Sequence, residues 1–477
     1  MPHFLPSVFE LLPPPEPAEA FARWRFLPHC VFLDSAVTDA RLGRYSFLAA
    51  DPFTFFVGPT AGPDHWDATR RALTNFRSTR IPELPPFQGG VAGVLGYDLG
   101  RRFEAIPPPK EDDFGFPRMA LGVYDVVLAW DHQAGQAWII SQGFPEKTPR
   151  RRRDRAEKRL QQAKRWSSDS RHTPREGIGP HTTRRLKEKC LAPRFPAPTA
   201  KGFVSNFCET AYLRVVERAI EYIRAGDIFQ VNLSQRLLHP AVGDPVSLYR
   251  RLRACNPAPF SGYFDLGDFQ VLSASPERFL HVCDGMVETR PIKGTIHRQE
   301  GIADEGAKES LLRSEKDRAE NVMIVDLLRN DLGRVCELGS VRVVDVCRLE
   351  TYATVHHLVS SVQGALRREL DAWDLLAACF PGGSITGAPK IRAMEIIAEL
   401  EPTARGAYCG AMGYLGFDGS ADWNLLIRTI TAGRGWWQAP VGGGIVADSD
   451  PNEEYRETWQ KAEGLIRAMA QFQRLGD

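Results

Sequence analysis

Residues 210–238 read TAYLRVVERAIEYIRAGDIFQVNLSQRLL. In the first half, Tyr212, Val215, Val216, Ala219 and Ile223 recur at three- and four-residue steps, which makes one stripe of a helix apolar. Gly226 and Asp227 stop that helix. IFQVNLSQRLL then follows with the composition of a strand. Working outward, strand signals recur in FQVLSASPERFLHV, GSVRVVDVCRL and WWQAPVGGGIVA. Helical patterns recur near 305–330, 370–380, 388–399 and 452–471. Upstream lie further strand-like runs: CVFLDSA, RYSFLAADPF, GGVAGVLGYDL, RMALGVYDVVLAW and AWIIS. Strands and helices do not alternate strictly, so a doubly wound parallel sheet is excluded. The order predicts an α+β fold, with antiparallel sheets covered by helices.

A chain of 477 residues, 43% hydrophobic and 25% charged, can bury a core without disulfides or metal staples. Its nine cysteines include no Cys-x-x-Cys pair, which argues against a disulfide framework and a zinc site and fits a reducing, cytoplasmic setting. No cationic leader precedes an apolar run, and no run is long enough to span a membrane. The formal net charge of +1 gives no global field for nucleic acid or membrane. The charge is uneven, however. Between Lys147 and Lys189 stand 16 Lys/Arg against 5 Asp/Glu. That segment reads as a basic linker (146–198) containing one solvated helix. It divides an N-terminal region (1–145) from a C-terminal domain (199–477), with the two halves expected to pack together.

Several patterns in the second half could carry chemistry. Asp317 and Glu320 lie three residues apart, as do Glu454 and Glu457, so each pair shares a helical face. Facing one another, the pairs would supply hard oxygen ligands; separately, each is a solvated face. The small-residue clusters PGGSITGAPK and VGGGIVADSD could hold an anion through Ser384, Thr386 and the backbone of Gly442, Gly443 and Gly444, or simply form tight turns. Arg428, in the apolar NLLIRTITAG, either points to solvent or is buried against a carboxylate. Lys293, in ETRPIKGTIHR, is surface-like unless burial or a nearby charge makes it a nucleophile. Glu277, in SASPERF, is an acid candidate. Alternation sends one of His356 and His357 inward.

Together these segments resemble one family. GDIFQVNLSQR, SASPERF, TRPIKGT, KDRAENVMIVDLLRNDLGRV, HHLVS, PGGSITGAPK, GAYCGAMGYLG, LLIRTI and GGGIVADSDPNEEYRET look like the chorismate-binding family over about residues 200–477. That family includes large subunits of anthranilate and aminodeoxychorismate synthases, and isochorismate and salicylate synthases. FLDSA, GRYSFLAADP and GGVAGVLGYDL resemble the N-terminal region of the amine-forming members. The resemblance implies two packed antiparallel sheets flanked by helices, and Mg²⁺ as cofactor. Glu320 and Glu457 would ligate Mg²⁺ directly, with Asp317 and Glu454 acting through its waters. Arg428 and Tyr408 would bind the enolpyruvyl carboxylate, helped by Gly442 to Gly444. Ser384 would lie by the ring carboxylate, and His357 matches the family's active-site histidine. Gln230 stands where the hydroxyl-installing members have a lysine base, and an amide cannot accept a proton at neutral pH. Lysine at 293 resembles the C4-aminating branch, whereas anthranilate synthases, the alternative, typically have alanine there. In that branch Lys293 attacks C2 of chorismate and Glu277 protonates the departing C4 hydroxyl. Ammonia, from a separate glutamine amidotransferase subunit, then takes its place. Leu33, Asp34 and Ser35 match part of a tryptophan-binding motif of relatives, with Asp34 standing where many feedback-regulated members have glutamate.

Overall fold

The computed structural model describes residues 5–37, 42–168, 185–299, 301–352 and 355–470. They form two antiparallel sheets, of 13 and 10 strands. The N-terminal and C-terminal stretches contribute strands to both. Val31–Asp34 pairs with Phe260–Asp265 in the larger sheet, and Gly90–Leu95 pairs with Ala411–Gly416 in the smaller one.

Alternation along these strands produces a layered core. Phe32, Leu237 and Leu272 enter an apolar cluster with residues of the helices Pro17–Trp24, Pro149–Ser168, Pro245–Cys255 and Pro451–Ala470. Their chain neighbours Val31, Leu238 and Val271 join Ala92, Val94, Ala120 and Met412 of the other sheet. On the far side, Val91, Leu95 and Leu121 pack with residues of Glu209–Arg224, Ala372–Cys379 and Lys390–Leu400. The order is therefore helices, sheet, sheet, helices. Strands buried on both faces read as near-continuous apolar runs, as RMALGVYDVVLAW does.

Two stretches that read as single strands break in the middle. Phe269–Ser275 lies in the larger sheet and Arg278–Cys283 in the smaller. Ala421–Leu425 lies in the smaller sheet and Thr429–Gly433 in the larger. Pro276 cannot donate to a ladder, which suits the first break. Arg428, at φ 53° in the left-handed region, makes the second. The two crossings lie side by side: Leu425 N donates to Glu277 O at 3.1 Å, and Ala274 N to Arg428 O at 3.1 Å.

The basic segment departs from expectation. Its helix, Pro149–Ser168, is docked rather than solvated, with Ala156, Leu160, Ala163 and Trp166 buried. Arg159, buried, donates to Asp125 and Asp51 at 3.2 and 2.7 Å. The arginine-rich composition hid this face, because two of the helix's buried positions, Arg152 and Arg159, are themselves cationic. Residues 169–184 of the segment lie outside the described residues. Leu160→Ala is expected to lower stability by about 2–4 kcal/mol in chemical denaturation. Lys158→Ala, on the exposed face, should change it by under about 0.5 kcal/mol. Equal, small effects would mean that the helix is not docked.

Candidate active site

The site is built where the two crossings meet the strand Ile292–His297, the helices Glu315–Gly333 and Pro451–Ala470, and the strand Trp436–Ile445. Lys293 owes its direction to a bulge. Ile292 is opposite Val359 and Thr295 opposite His357, so Lys293 and Gly294 together face one residue. Gly294 takes φ 81°, and a Cβ there would come within 3.0 Å of the Asp317 carboxyl carbon. A bulge of this kind turns a side chain off its strand face. The lysine is 13% exposed rather than solvated, and its Nζ lies 3.5 Å from Glu320 Oε2.

Glu277 sits at the first crossing, 5% exposed. Its Oε1 accepts a hydrogen bond from Ser384 Oγ at 2.6 Å. Burial pushes its carboxyl from 4.5 up to about 7, against the opposing pull of Ser384 and the nearby Lys293. Arg428, at the second crossing, is half-buried, and Nη1 donates to Lys461 O at 2.5 Å. It is a crossing residue rather than a strand residue. Burial lowers its pKa, while Tyr408 and Glu457 work against that shift. Tyr408 is itself buried. Both histidines of the pair are inside, contrary to simple alternation. His356 is a satisfied core residue, bonded to Thr351 Oγ1 at 2.9 Å and Asp304 Oδ1 at 2.8 Å. His357 bonds Thr295 Oγ1 at 2.8 Å. Burial and then the charge of Arg428 push it down to about 4, leaving a neutral imidazole at pH 7.

Gly442, Gly443 and Gly444 form no turn; they lie in strand pairing with Ser234, Leu233 and Asn232. Their value is room. A Cβ on Gly443 would stand 3.2 Å from Glu454 Oε2 and 3.6 Å from Glu457 Oε1. One on Gly444 would meet Gln230 Nε2 at 2.2 Å and Lys293 Nζ at 3.4 Å. Gln230 is buried, and neither carboxamide atom has a hydrogen-bond partner among the described residues. Ser384 belongs to the one-turn segment Gly383–Ile385. The Thr386 hydroxyl is engaged by Gly382 O at 3.0 Å.

The two acidic pairs converge from separate helices. Asp317 and Glu320 lie in the first turns of Glu315–Gly333, capped by Ser314. Glu454 and Glu457 lie in those of Pro451–Ala470. Ammonium groups now neutralise three of the four: Lys293 on Glu320, Lys316 on Glu454 at 3.5 Å, and Lys461 on Glu457 at 2.5 Å. Glu454, buried and beside Glu457, titrates above its ordinary value. Burial also pushes Glu457 up, but Lys461 and Lys316 leave it below. Among the described residues no three His, Cys, Asp or Glu side chains are gathered closely enough to hold a metal ion. The donors are nonetheless all hard oxygens, and cations already attend them, which fits Mg²⁺ better than a softer metal.

Lys316 and Lys461 escaped the sequence reading, although Lys461 follows Glu457 by four residues, a spacing that signals an ion pair. Leu33, Asp34 and Ser35 make their bonds elsewhere. Asp34 Oδ2 accepts from Tyr249 Oη at 2.9 Å and Arg253 Nε at 2.5 Å, and Ser35 N donates to Ser46 Oγ at 3.0 Å.

The raised Glu277 carboxyl has a consequence for stability. The native state binds its proton more tightly than the unfolded chain, so the resulting stability is complete below about pH 4.5 and lost as pH rises to about 7. Glu277→Gln removes that loss. The variant should therefore gain on the wild type in denaturation experiments between about pH 5 and pH 8, by up to about 3 kcal/mol. A difference independent of pH would contradict the shift.

The pattern of chorismate binding enzymes matches residues 30–467. Anthranilate synthase component 1 of Thermus thermophilus is 44% identical over 394 residues, covering 82% of this chain and 79% of that one. Aminodeoxychorismate synthase component 1 of Salmonella typhimurium is 40% identical over 482 residues, covering 97% and 98%. Among solved structures, anthranilate synthase component I from Streptococcus pneumoniae superposes with a TM-score of 0.73 at 32% identity, over 90% of this chain and 94% of that one. Two sheets with flanking helices, joined at crossings that carry Glu277 and Arg428, accompany that likeness, and the chain belongs to the family of chorismate binding enzymes.

Proposed function

We propose that this enzyme aminates chorismate at C4, giving 4-amino-4-deoxychorismate, as the large subunit of an aminodeoxychorismate synthase. One observation carries the reading: a bulge turns Lys293 off its strand face to a place where its charge acts on a buried acid of near-neutral pKa, Glu277. Near-full-length likeness to several aminodeoxychorismate synthase components supports it.

The chemistry needs both groups. Lys293, once its ammonium form has given up a proton, attacks C2 as a free amine; both ring double bonds shift by one position, and the C4–O bond breaks. Glu277 gives its proton to the departing oxygen, so water leaves rather than hydroxide. Ammonia then adds at C4, both double bonds return to their original positions, and the C2–N bond to Lys293 breaks, restoring the amine. Arg428 would pair with the enolpyruvyl carboxylate, and neutral His357 would shape the pocket without adding charge. Mg²⁺, held by Glu320 and Glu457 with Asp317 and Glu454 behind them, would supply positive charge to the ring carboxylate. Ammonia would come from a glutamine amidotransferase subunit, and a separate lyase would complete p-aminobenzoate for folate synthesis.

Anthranilate synthase is the second reading, favoured by the 44% identity to the Thermus enzyme. Incubation with chorismate, Mg²⁺ and ammonium separates the two. The proposal expects p-aminobenzoate only after lyase is added; fluorescent anthranilate without lyase would sink it. Lys293→Ala should abolish or redirect C4 amination, by at least about 100-fold. The normal product at the normal rate would remove the lysine from the mechanism. Chelation of divalent ions should abolish turnover, and calorimetric titration of Mg²⁺ should show binding that Glu320→Gln and Glu457→Gln lose.

A further inference from the structure

Behind the segment that carries Ser384 stands a buried ion pair. Arg405 donates from Nε to Glu401 Oε2 at 2.9 Å and from Nη2 to Glu401 Oε1 at 2.7 Å. The same guanidinium donates to Ile385 O at 3.1 Å and to Asn232 O at 2.7 Å. The two side chains are only 2% and 5% exposed. Glu401 Oε1 also accepts from Ser234 N and Oγ, both at 2.9 Å.

This hub fastens three pieces of chain. It joins the end of the helix Lys390–Leu400 to the strand Gln230–Pro240, and both to the turn at 383–386. From the strand, Asn232 Nδ2 donates to Ser384 O at 2.8 Å. The carbonyls of Ser384 and Ile385 are thus both held, and the Ser384 hydroxyl donates to Glu277 at 2.6 Å. A buried pair seldom adds net stability over apolar packing, so its geometry calls for another account. Only a planar, multi-donor fork serves a carboxylate and two carbonyls at once; a lysine ammonium cannot span them.

We propose that Arg405 is a positioning residue for the general acid, holding the Ile385 and Asn232 carbonyls so that the Ser384 hydroxyl meets the Glu277 carboxyl. This rests on Glu277 being the acid of the proposed reaction. The hydroxyl donates to the ionised carboxyl and favours it. Loosening that bond makes the carboxyl hold its proton to higher pH, which moves the alkaline limb of the rate profile upward.

The experiment is the pH profile of kcat at saturating chorismate, Mg²⁺ and ammonium for the wild type, Arg405→Lys, Ser384→Ala and the double variant. Arg405→Lys is expected to lower kcat about tenfold with KM for chorismate nearly unchanged. Its alkaline limb should move up, as should that of Ser384→Ala, and the double variant should show no shift beyond Ser384→Ala alone. A shifted limb in Ser384→Ala with a wild-type limb in Arg405→Lys would overturn the positioning role while leaving Glu277 as the acid. An unshifted limb in both would remove Glu277 as the titrating acid, and the proposal with it. Should circular dichroism show Arg405→Lys unfolded, Asn232→Ala, which cuts the bond to Ser384 O and spares the ion pair, carries the test with the same two outcomes.

Discussion

The site depends on two backbone hydrogen bonds between neighbouring crossings of the sheet sandwich, Leu425 N to Glu277 O and Ala274 N to Arg428 O. At each crossing the chain leaves one sheet for the other, and between sheets a residue has no ladder to define its face. Pro276 and the left-handed Arg428 make the breaks; the paired amides keep them in register. An acid and a cation are thereby delivered to one site, Glu277 buried against Ser384 and Arg428 half-buried against the helix Pro451–Ala470, where water is scarce and charge is felt strongly. The same scarcity pushes the Glu277 carboxyl toward neutrality and keeps His357 uncharged.

Around these two residues the protein assembles charges that would not tolerate burial alone. Asp317, Glu320, Glu454 and Glu457 would repel one another if left bare. Lys293, Lys316 and Lys461 offset three of them in the structure described. Gly443 and Gly444 keep the opposing wall smooth, so that side chains from the helix Pro451–Ala470 and from the bulge at Lys293 can occupy the same space. Farther back, Arg405 and Glu401 fasten the turn bearing Ser384 to the adjacent strand.

Much of this was legible in the sequence. Apolar alternation in the strands and the stripe of Tyr212, Val216 and Ala219 gave the elements and the α+β class, because those residues face cores on both sides of each sheet. The carboxylate pairs followed from helical spacing. The direction of Lys293 did not, since a bulge is set by pairing with a strand some sixty residues away. Nor did the breaks at Glu277 and Arg428, where apolar flanks imitate continuous strands. The helix Pro149–Ser168 was misread as solvated because its buried face uses Arg152 and Arg159, whose charges meet partners distant in sequence, such as Asp125. The triple glycine read on composition as a turn, since composition alone cannot separate room for neighbours from backbone freedom.

The central claim is a bond between the Lys293 amine and the substrate ring. It is tested most directly by acid-quenching the enzyme with chorismate and Mg²⁺ in the absence of ammonia and weighing its peptides. The account predicts that the peptide containing Lys293 gains the mass of chorismate less one water, and loses it when ammonium is supplied before the quench. Steady formation of the C4-aminated product with that peptide unmodified at every time point would contradict it.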